Sequence, residues 1–414
     1  MNSTIKFKLS FMMFLEFFIW GAWFVTLGTF LVQNLKASDF QIANVFSTQS
    51  LGAIIAPFIV GMIADRFFNA ERVLAVLHLV GAVLLFQMYQ SIDIESFYPY
   101  VLSYMILYMP TLALASSISF RQLTHPEKEF SSIRIWGTIG WIVAGLSISY
   151  IFKWDAAAGE GALKNTFLMA AIASAVLGVF SFILPSTPPV KAADGEKPSF
   201  ASIIGLDAIR LLKDKNFFIF FISSVLICIP LAFYYQNANM FLGEIGLENP
   251  TGKMTIGQIS EVLFLLLLPV FFSKFGFKKT ILVGMLAWAL RYVLFAYGNA
   301  DSLTFMLILG IALHGICYDF FFVSGQIYTD SKAGEKYKSA AQGLITLATY
   351  GIGQLIGFWV AGYVSDMYAA LHTTDIPAFW NSLWLVPAGI AVVVMIIFLI
   401  FFKDEKVGQS DTAH

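Results

Sequence analysis

The sequence predicts an all-α polytopic membrane protein, with twelve transmembrane helices in two six-helix bundles. Three observations predict it. The 414 residues are 58% hydrophobic and only 12% charged, whereas a soluble domain is nearer half apolar and about a quarter charged. Twelve apolar windows follow one another along the chain, each long enough to cross a bilayer. The basic residues between them fall overwhelmingly in alternate connections.

A helical crossing needs about 20 predominantly apolar residues. The windows are 11–34, 41–64, 72–91, 98–120, 132–152, 165–185, 216–242, 254–273, 280–298, 303–328, 339–364 and 379–402. Hydrocarbon offers no hydrogen bonds, so these segments must satisfy their own backbone as helices. Barrel strands would be about half as long and would alternate in polarity. The first window exceeds a signal-peptide core, and no small-residue cleavage pattern follows it, which predicts a retained span.

With the N-terminus in the cytoplasm, 19 of the 25 Lys and Arg lie on the inside and four on the outside, while Arg134 and Arg291 lie at or within spans. This is a strong positive-inside bias, and it favours an even number of spans. A longer polar segment, residues 186–215, divides the chain into an N-terminal bundle at 1–185 and a C-terminal bundle at 216–414. Within it, Leu206 to Leu212 predicts a short amphipathic helix on the membrane surface. A 6+6 arrangement implies two repeats with a substrate site between them.

Composition also excludes. A net charge of -1 gives no bulk electrostatic case for nucleic acid. Cys228 and Cys317 lie in apolar runs and predict no disulfide framework. Five scattered histidines show no metal-ligand spacing, and no cofactor is expected. No nucleophile–base pair or phosphate loop suggests an enzyme.

After the second window comes Gly61-Met62-Ile63-Ala64-Asp65-Arg66, with Arg72 six residues on. This resembles the Gly-x-x-x-Asp-Arg loop motif of the major facilitator superfamily. Ser273-Lys274-Phe275-Gly276-Phe277-Lys278-Lys279 is a degenerate copy at the matching place in the second half, as an internal repeat predicts.

Ionisable groups inside the membrane cost roughly 2.5–3.5 kcal/mol on insertion scales and point to function by default. Glu261 follows Gln258 by three residues, so amide and carboxyl share a helix face. Asp319 sits among aromatics beside Tyr318, a ring able to stack on a base or sugar. The alternative for Asp319 is a buried ion pair with Arg134 or Arg291. Glu16 lies in the first span near Trp20 and Trp23, either as a further proton-handling group or facing a polar cavity.

Arg134, Thr138 and Trp141 are spaced four and three apart and share a face offering a forked donor, a hydroxyl and an aromatic plate. The alternative places Arg134 at the interface, snorkelling to lipid phosphate. Tyr234-Tyr235-Gln236-Asn237-Ala238-Asn239 interrupts the seventh apolar run. Gln236 and Asn239 share a face there, and the alternative is a solvated helix end. His78 and His314 carry weaker claims, because a lone histidine in a span is more often satisfied structurally.

Taken together, Ile133-Arg134-Ile135-Trp136-Gly137-Thr138-Ile139-Gly140, Gln258-Ile259-Ser260-Glu261 and Tyr318-Asp319-Phe320-Phe321 resemble the bacterial nucleoside:proton symporter family. So do Tyr108-Met109-Pro110-Thr111-Leu112, Trp288-Ala289-Leu290-Arg291-Tyr292 and Ser339-Ala340-Ala341-Gln342-Gly343. The resemblance implies the major facilitator fold and proton-driven uptake of purine and pyrimidine nucleosides by alternating access. It carries ligand contact onto Arg134, Thr138, Gln258, Glu261 and Asp319. Trp141 replaces another aromatic of the family pattern, Glu16 replaces an amide, and Gln236 and Asn239 register less cleanly on the family's Gln and Asn.

The expected proton-coupling groups are Glu261, Asp319 and Glu16. The expected partners are a small nucleoside, protons and the lipid bilayer, for a monomer in a bacterial inner membrane with both termini cytoplasmic. The competing readings are a sugar or oligosaccharide symporter on the same scaffold and a nucleoside sensor that carries no flux.

Overall fold

A computed structural model of the chain describes residues 2–59, 68–123, 126–189 and 206–403. Within that range the secondary structure is helical. The N-terminal helices are α1 (Ser3–Trp23), α2 (Leu27–Gln33), α3 (Asp39–Ile59), α4 (Ala70–Gln90), α5 (Ile94–Gln122), α6 (Pro126–Leu146) and α7 (Asn165–Ser181). A short 3-10 helix, Leu206–Lys213, falls where the sequence predicts a short amphipathic helix. Beyond it come α8 (Lys215–Glu244), α9 (Pro250–Tyr297), α10 (Thr304–Ala312), α11 (His314–Tyr318), α12 (Ser324–Thr346), α13 (Gln354–Met367), α14 (Ala369–Thr374) and α15 (Ile376–Phe401).

Ten stretches among the described residues are long and apolar enough to cross a membrane. One of them, α9, has 48 residues, or about 72 Å of helix, more than twice a hydrocarbon core. Its backbone breaks at Gly276, where φ is 74° and ψ 176°. That conformation favours glycine, so α9 makes two crossings joined at the degenerate loop motif. Helix α3, at 21 residues, supplies the remaining crossing and brings the total to twelve. The motif Gly61 to Arg66 lies outside the described residues.

The outward faces confirm the solvent. Leu266, Val179 and Ile400 are 73%, 64% and 65% exposed, which suits lipid and not water.

The chain divides into two compact units. Unit 1 is Met1–Lys197 with Glu248–Thr255, and unit 2 is Pro198–Leu247 with Ile256–His414. In unit 1, α1 packs on α6 and α7, α4 on α5 and α7, and α3 on α5. Glycine sets the closest approach, because a Cβ on Gly140 would lie 2.1 Å from the Phe14 carbonyl oxygen. Asp155 explains why unit 1 takes in residues 248–255. Its carboxylate accepts from the Thr251 N–H at 3.2 Å and the Thr251 hydroxyl at 2.8 Å, while Ser149 Oγ accepts from the Gly252 N–H at 2.7 Å. Burial raises the Asp155 carboxyl above the usual carboxylate range, against these hydrogen bonds.

In unit 2, α8 packs against α13 and α15. Its core is aromatic: Tyr292 stacks on Trp384 at 5.6 Å, and Phe241 and Phe295 close around the same indole. Lys278, from the degenerate motif, donates to the Leu399 and Phe402 carbonyls at 2.9 and 2.6 Å. It thereby caps the C-terminus of α15, where a cation is favoured.

Candidate functional site

Each unit buries a polar cluster around an ionisable group within its spans. In unit 1 the centre is Glu16 on α1, which has no exposed surface. Its Oε2 lies 2.8 Å from His78 Nε2 on α4, and its Oε1 contacts the Thr111 hydroxyl on α5, which also meets the Tyr108 carbonyl. Tyr108 donates its hydroxyl to the Glu16 carbonyl at 2.7 Å. Ser174 on α7 faces His78 Nδ1 at 3.2 Å.

Next along α1, Phe17 lies under the Arg134 guanidinium at 4.0 Å, and one turn beyond Glu16 Trp20 meets Trp141 edge-on at 5.6 Å. Arg134 and Trp141 therefore do point the same way, towards α1. Both are half-buried, as is Thr138.

In unit 2 the centre is Arg291, in the second arm of α9, also without exposed surface. It donates from Nη1 to His314 Nδ1 at 3.1 Å and sits over the Tyr234 ring at 3.5 Å. Arginine does not deprotonate in proteins, so Nδ1 must be the acceptor. A neutral imidazole then carries its proton on Nε2. That nitrogen faces Glu261 Oε2 at 4.0 Å. The order is thus cation, imidazole, carboxylate, drawn from both arms of α9 and from α11.

The close packing behind this array rests on Gly315. A Cβ there would meet the Ser260 carbonyl at 2.5 Å and the Glu261 nitrogen at 2.6 Å.

Asp319 opens a π-helical turn, Asp319–Val323, and is 1% exposed. Its Oδ2 has no hydrogen-bond partner among the described residues. Tyr318 shares a 2.5 Å hydroxyl contact with Tyr350, which lies in a second π-helical turn, Leu347–Gly353. Such turns recur at functional sites, because the extra residue re-aims side chains. Buried polar atoms without partners among the described residues also include Gln236 Oε1, Asn237 Nδ2, and Arg291 Nε and Nη2. Buried groups in this state are ones that a polar ligand can complete.

The family model for nucleoside H+ symporters matches residues 2–407. The chain belongs to the nucleoside H+ symporter family. This symporter is 43% identical over 402 residues to the putative nucleoside transporter YegT of Escherichia coli (strain K12), covering 96% of this chain and 94% of that one. It is 33% identical over 419 residues to the nucleoside permease NupG of the same organism, covering 98% and 97%. The crystal structure of NupG superposes with a TM-score of 0.84 over 98% of this chain and 100% of that one. The symporter is therefore a polytopic transporter of the major facilitator type and not an enzyme.

Set against the residues singled out in the sequence, unit 2 holds Gln236, Asn239, Gln258, Glu261, Tyr318 and Asp319. Unit 1 holds Glu16, Arg134, Thr138 and Trp141. The stretch Tyr234 to Asn239 is not a solvated helix end: Gln236 and Asn239 are 2% and 5% exposed, within α8. Asp319 forms no ion pair with Arg291, whose polar contact goes to His314.

Both histidines of the spans have partners, His78 at Glu16 and Ser174 and His314 at Arg291, and each stands near a carboxylate. The available signal was an ionisable ring inside an apolar run. What was missing was the partner, which lies 62 residues away for His78.

Proposed function

We propose that this symporter imports purine and pyrimidine nucleosides by alternating access, each coupled to proton entry, across a bacterial inner membrane. The observation that carries the reading is the unit 2 array, in which Asp319 has a buried oxygen with no partner among the described residues and shares its unit with the Glu261–His314–Arg291 series. A membrane protein keeps such groups only against a large insertion cost.

The cargo assignment is supported by the family and by what its relatives are called, two nucleoside transporters and a xanthosine permease. In unit 2, Gln258, Glu261 and Asp319 offer hydrogen bonds to ribose hydroxyls and base edges. Tyr318 offers a ring face, and Gln236 and Asn239 add amides. In unit 1, Arg134 and Thr138 offer donors beside the indole of Trp141.

Glu261 and Asp319 take the coupled proton, with Glu16 as a further group. Neutralising a carboxylate removes the penalty for burying it, so proton binding and cargo binding reinforce one another. A membrane potential supplies about 2.3 kcal/mol per charge per 100 mV. At about 1.4 kcal/mol per decade, that sustains roughly a 50-fold gradient of a neutral solute.

The proposed working arrangement is a bundle at 1–185, a cytoplasmic segment at 186–215 and a bundle at 216–414, in a monomer with both termini inside. The excess of basic residues on one set of connections supports that orientation.

The test is uptake of labelled uridine and adenosine by proteoliposomes, with and without an inward proton gradient. The expected result is accumulation that needs the gradient and collapses with a protonophore. No flux of either nucleoside under any gradient would overturn the cargo, and inhibition by disaccharides would replace it with a sugar.

A further inference from the structure

The unit 1 cluster can be read as a count of protons. Ser174 Oγ lies 2.8 Å from the carbonyl oxygen of His78 and 3.2 Å from Nδ1 of the same residue. A carbonyl only accepts, so the single hydroxyl proton of Ser174 is committed to it. Nδ1 must then be the donor in the second contact.

His78 Nε2 stands 2.8 Å from Glu16 Oε2. A neutral imidazole has one proton, already placed on Nδ1, and a carboxylate has none. A contact of that length between two lone pairs needs another proton. Either an imidazolium donates to a carboxylate, or a carboxylic acid donates to Nε2. In both cases the pair holds at least one proton more than a neutral histidine beside an ionised glutamate.

We propose that Glu16 and His78 form a second proton-binding site, distinct from Glu261 and Asp319, whose shared proton exchanges during the transport cycle. The proposal rests on the proton-coupled reading but not on the identity of the cargo.

The route to the ligand groups is short and stiff. Helix α1 carries Glu16, and it also carries Phe17 and Trp20, against which Arg134 and Trp141 of α6 are seated. A Cβ at Gly137 would meet Phe17 at 2.6 Å, and one at Gly140 would meet backbone at 2.1 Å. Movement at Arg134 or Trp141 is therefore passed to α1, and so to the Glu16 side of a contact whose His78 side stands on α4. The ionisable groups facing the pair are Tyr104 and Tyr108 from α5, with Arg134 acting through Tyr108. Helix α7 presents the Ser174 hydroxyl, and α5 adds that of Thr111.

The site is read directly by nitrogen-15 NMR of histidine-labelled protein in lipid nanodiscs, titrated between about pH 5 and about pH 8. The expected signal is a histidine protonated on Nδ1 with Nε2 bonded to a carboxyl. In Glu16→Gln it becomes an ordinary neutral Nδ1–H imidazole. Uridine added to the wild type at fixed pH is expected to change the protonation of this ring. In proteoliposomes, the proton-to-nucleoside ratio is expected to fall in Glu16→Gln. Ser174→Ala, which removes no titratable group, is expected to keep the ratio and move its pH profile.

A His78 without a proton on Nδ1 across the range overturns the site. A loaded pair that ignores substrate, or an unchanged ratio in Glu16→Gln, overturns the exchange. If the variants fail to fold, the wild-type titration with and without substrate still decides. Uridine that neither binds nor enters would count against the cargo, and the tautomer of His78 would stand as a separate result.

Discussion

Arg291 is a permanent cation with no exposed surface, and its polar contact is an imidazole. A buried charge of this kind is tolerable only where dipoles, ring faces and nearby acids share the compensation. The Tyr234 face at 3.5 Å and the His314–Glu261 series supply that compensation here. Removing an acid from this setting should act on coupling before it acts on folding. Glu261→Gln and Asp319→Asn are each expected to lower gradient-driven accumulation by about tenfold or more, equivalent to about 1.4 kcal/mol, while counterflow is reduced less. Uptake in proteoliposomes measures both, and intact accumulation in the two variants would remove these acids from the proton path. Tyr318→Phe deletes one hydroxyl from the contact with Tyr350 and is expected to cost about 1 kcal/mol in substrate affinity or stability. Equilibrium binding and a melting curve separate the two.

Among the helices, two junctions carry most of the consequence. The first is Gly315, where α11 meets the backbone of Ser260 and Glu261. Backbone cannot rotate aside as a side chain does, so Gly315→Ala must push the helices apart. The expected cost is about 1–3 kcal/mol of stability, together with a loss of transport larger than stability alone accounts for, because Glu261 moves away from His314. A melting curve paired with uptake at low temperature checks this, and normal uptake would show that the helix spacing does not set the site.

The second junction is the start of α8. Asp214 accepts from the Phe217 N–H at 2.9 Å and from Lys332 at 3.2 Å. Burial alone would raise its carboxyl, but these hydrogen bonds prevail and hold it below the usual range. A depressed value means that the stabilisation is fully present above the unfolded value near 3.8 and is lost as pH falls through the folded one. Asp214→Ala is expected to cost about 1 kcal/mol at neutral pH and Asp214→Asn much less, since asparagine also caps. Chemical denaturation in detergent at neutral and acid pH reads both, and the difference between wild type and alanine variant should shrink on acidification.

For the whole molecule the decisive quantity is flux against a gradient. Labelled uridine and adenosine are expected to accumulate under an inward proton gradient and to be displaced by unlabelled nucleosides but not by free ribose. Ribose competing as well as uridine would mean that the base contributes nothing to recognition, and the aromatic faces of Trp141 and Tyr318 would lose their assigned purpose.

The sequence by itself determined the solvent, the crossings and the family. These are properties of single segments: a run of about 20 apolar residues needs no partner to be recognised. A glycine between two basic stretches at Gly276 marks a break wherever the helices later pack. The charged residues inside the spans were equally visible, because each is a local exception. Helical spacing also held within one helix, as Arg134 and Trp141 both turn to α1. Tertiary structure alone decided which exceptions meet. Glu16, His78 and Thr111 come from three helices, with 62 and 95 residues between Glu16 and its two partners. Periodicity fixes a face but not the helix that will cover it. The same limit kept the Arg291–His314 pairing out of view, and with it the direction in which each histidine holds its proton. Those assignments follow from distances between helices, which are set by where glycines let backbones touch.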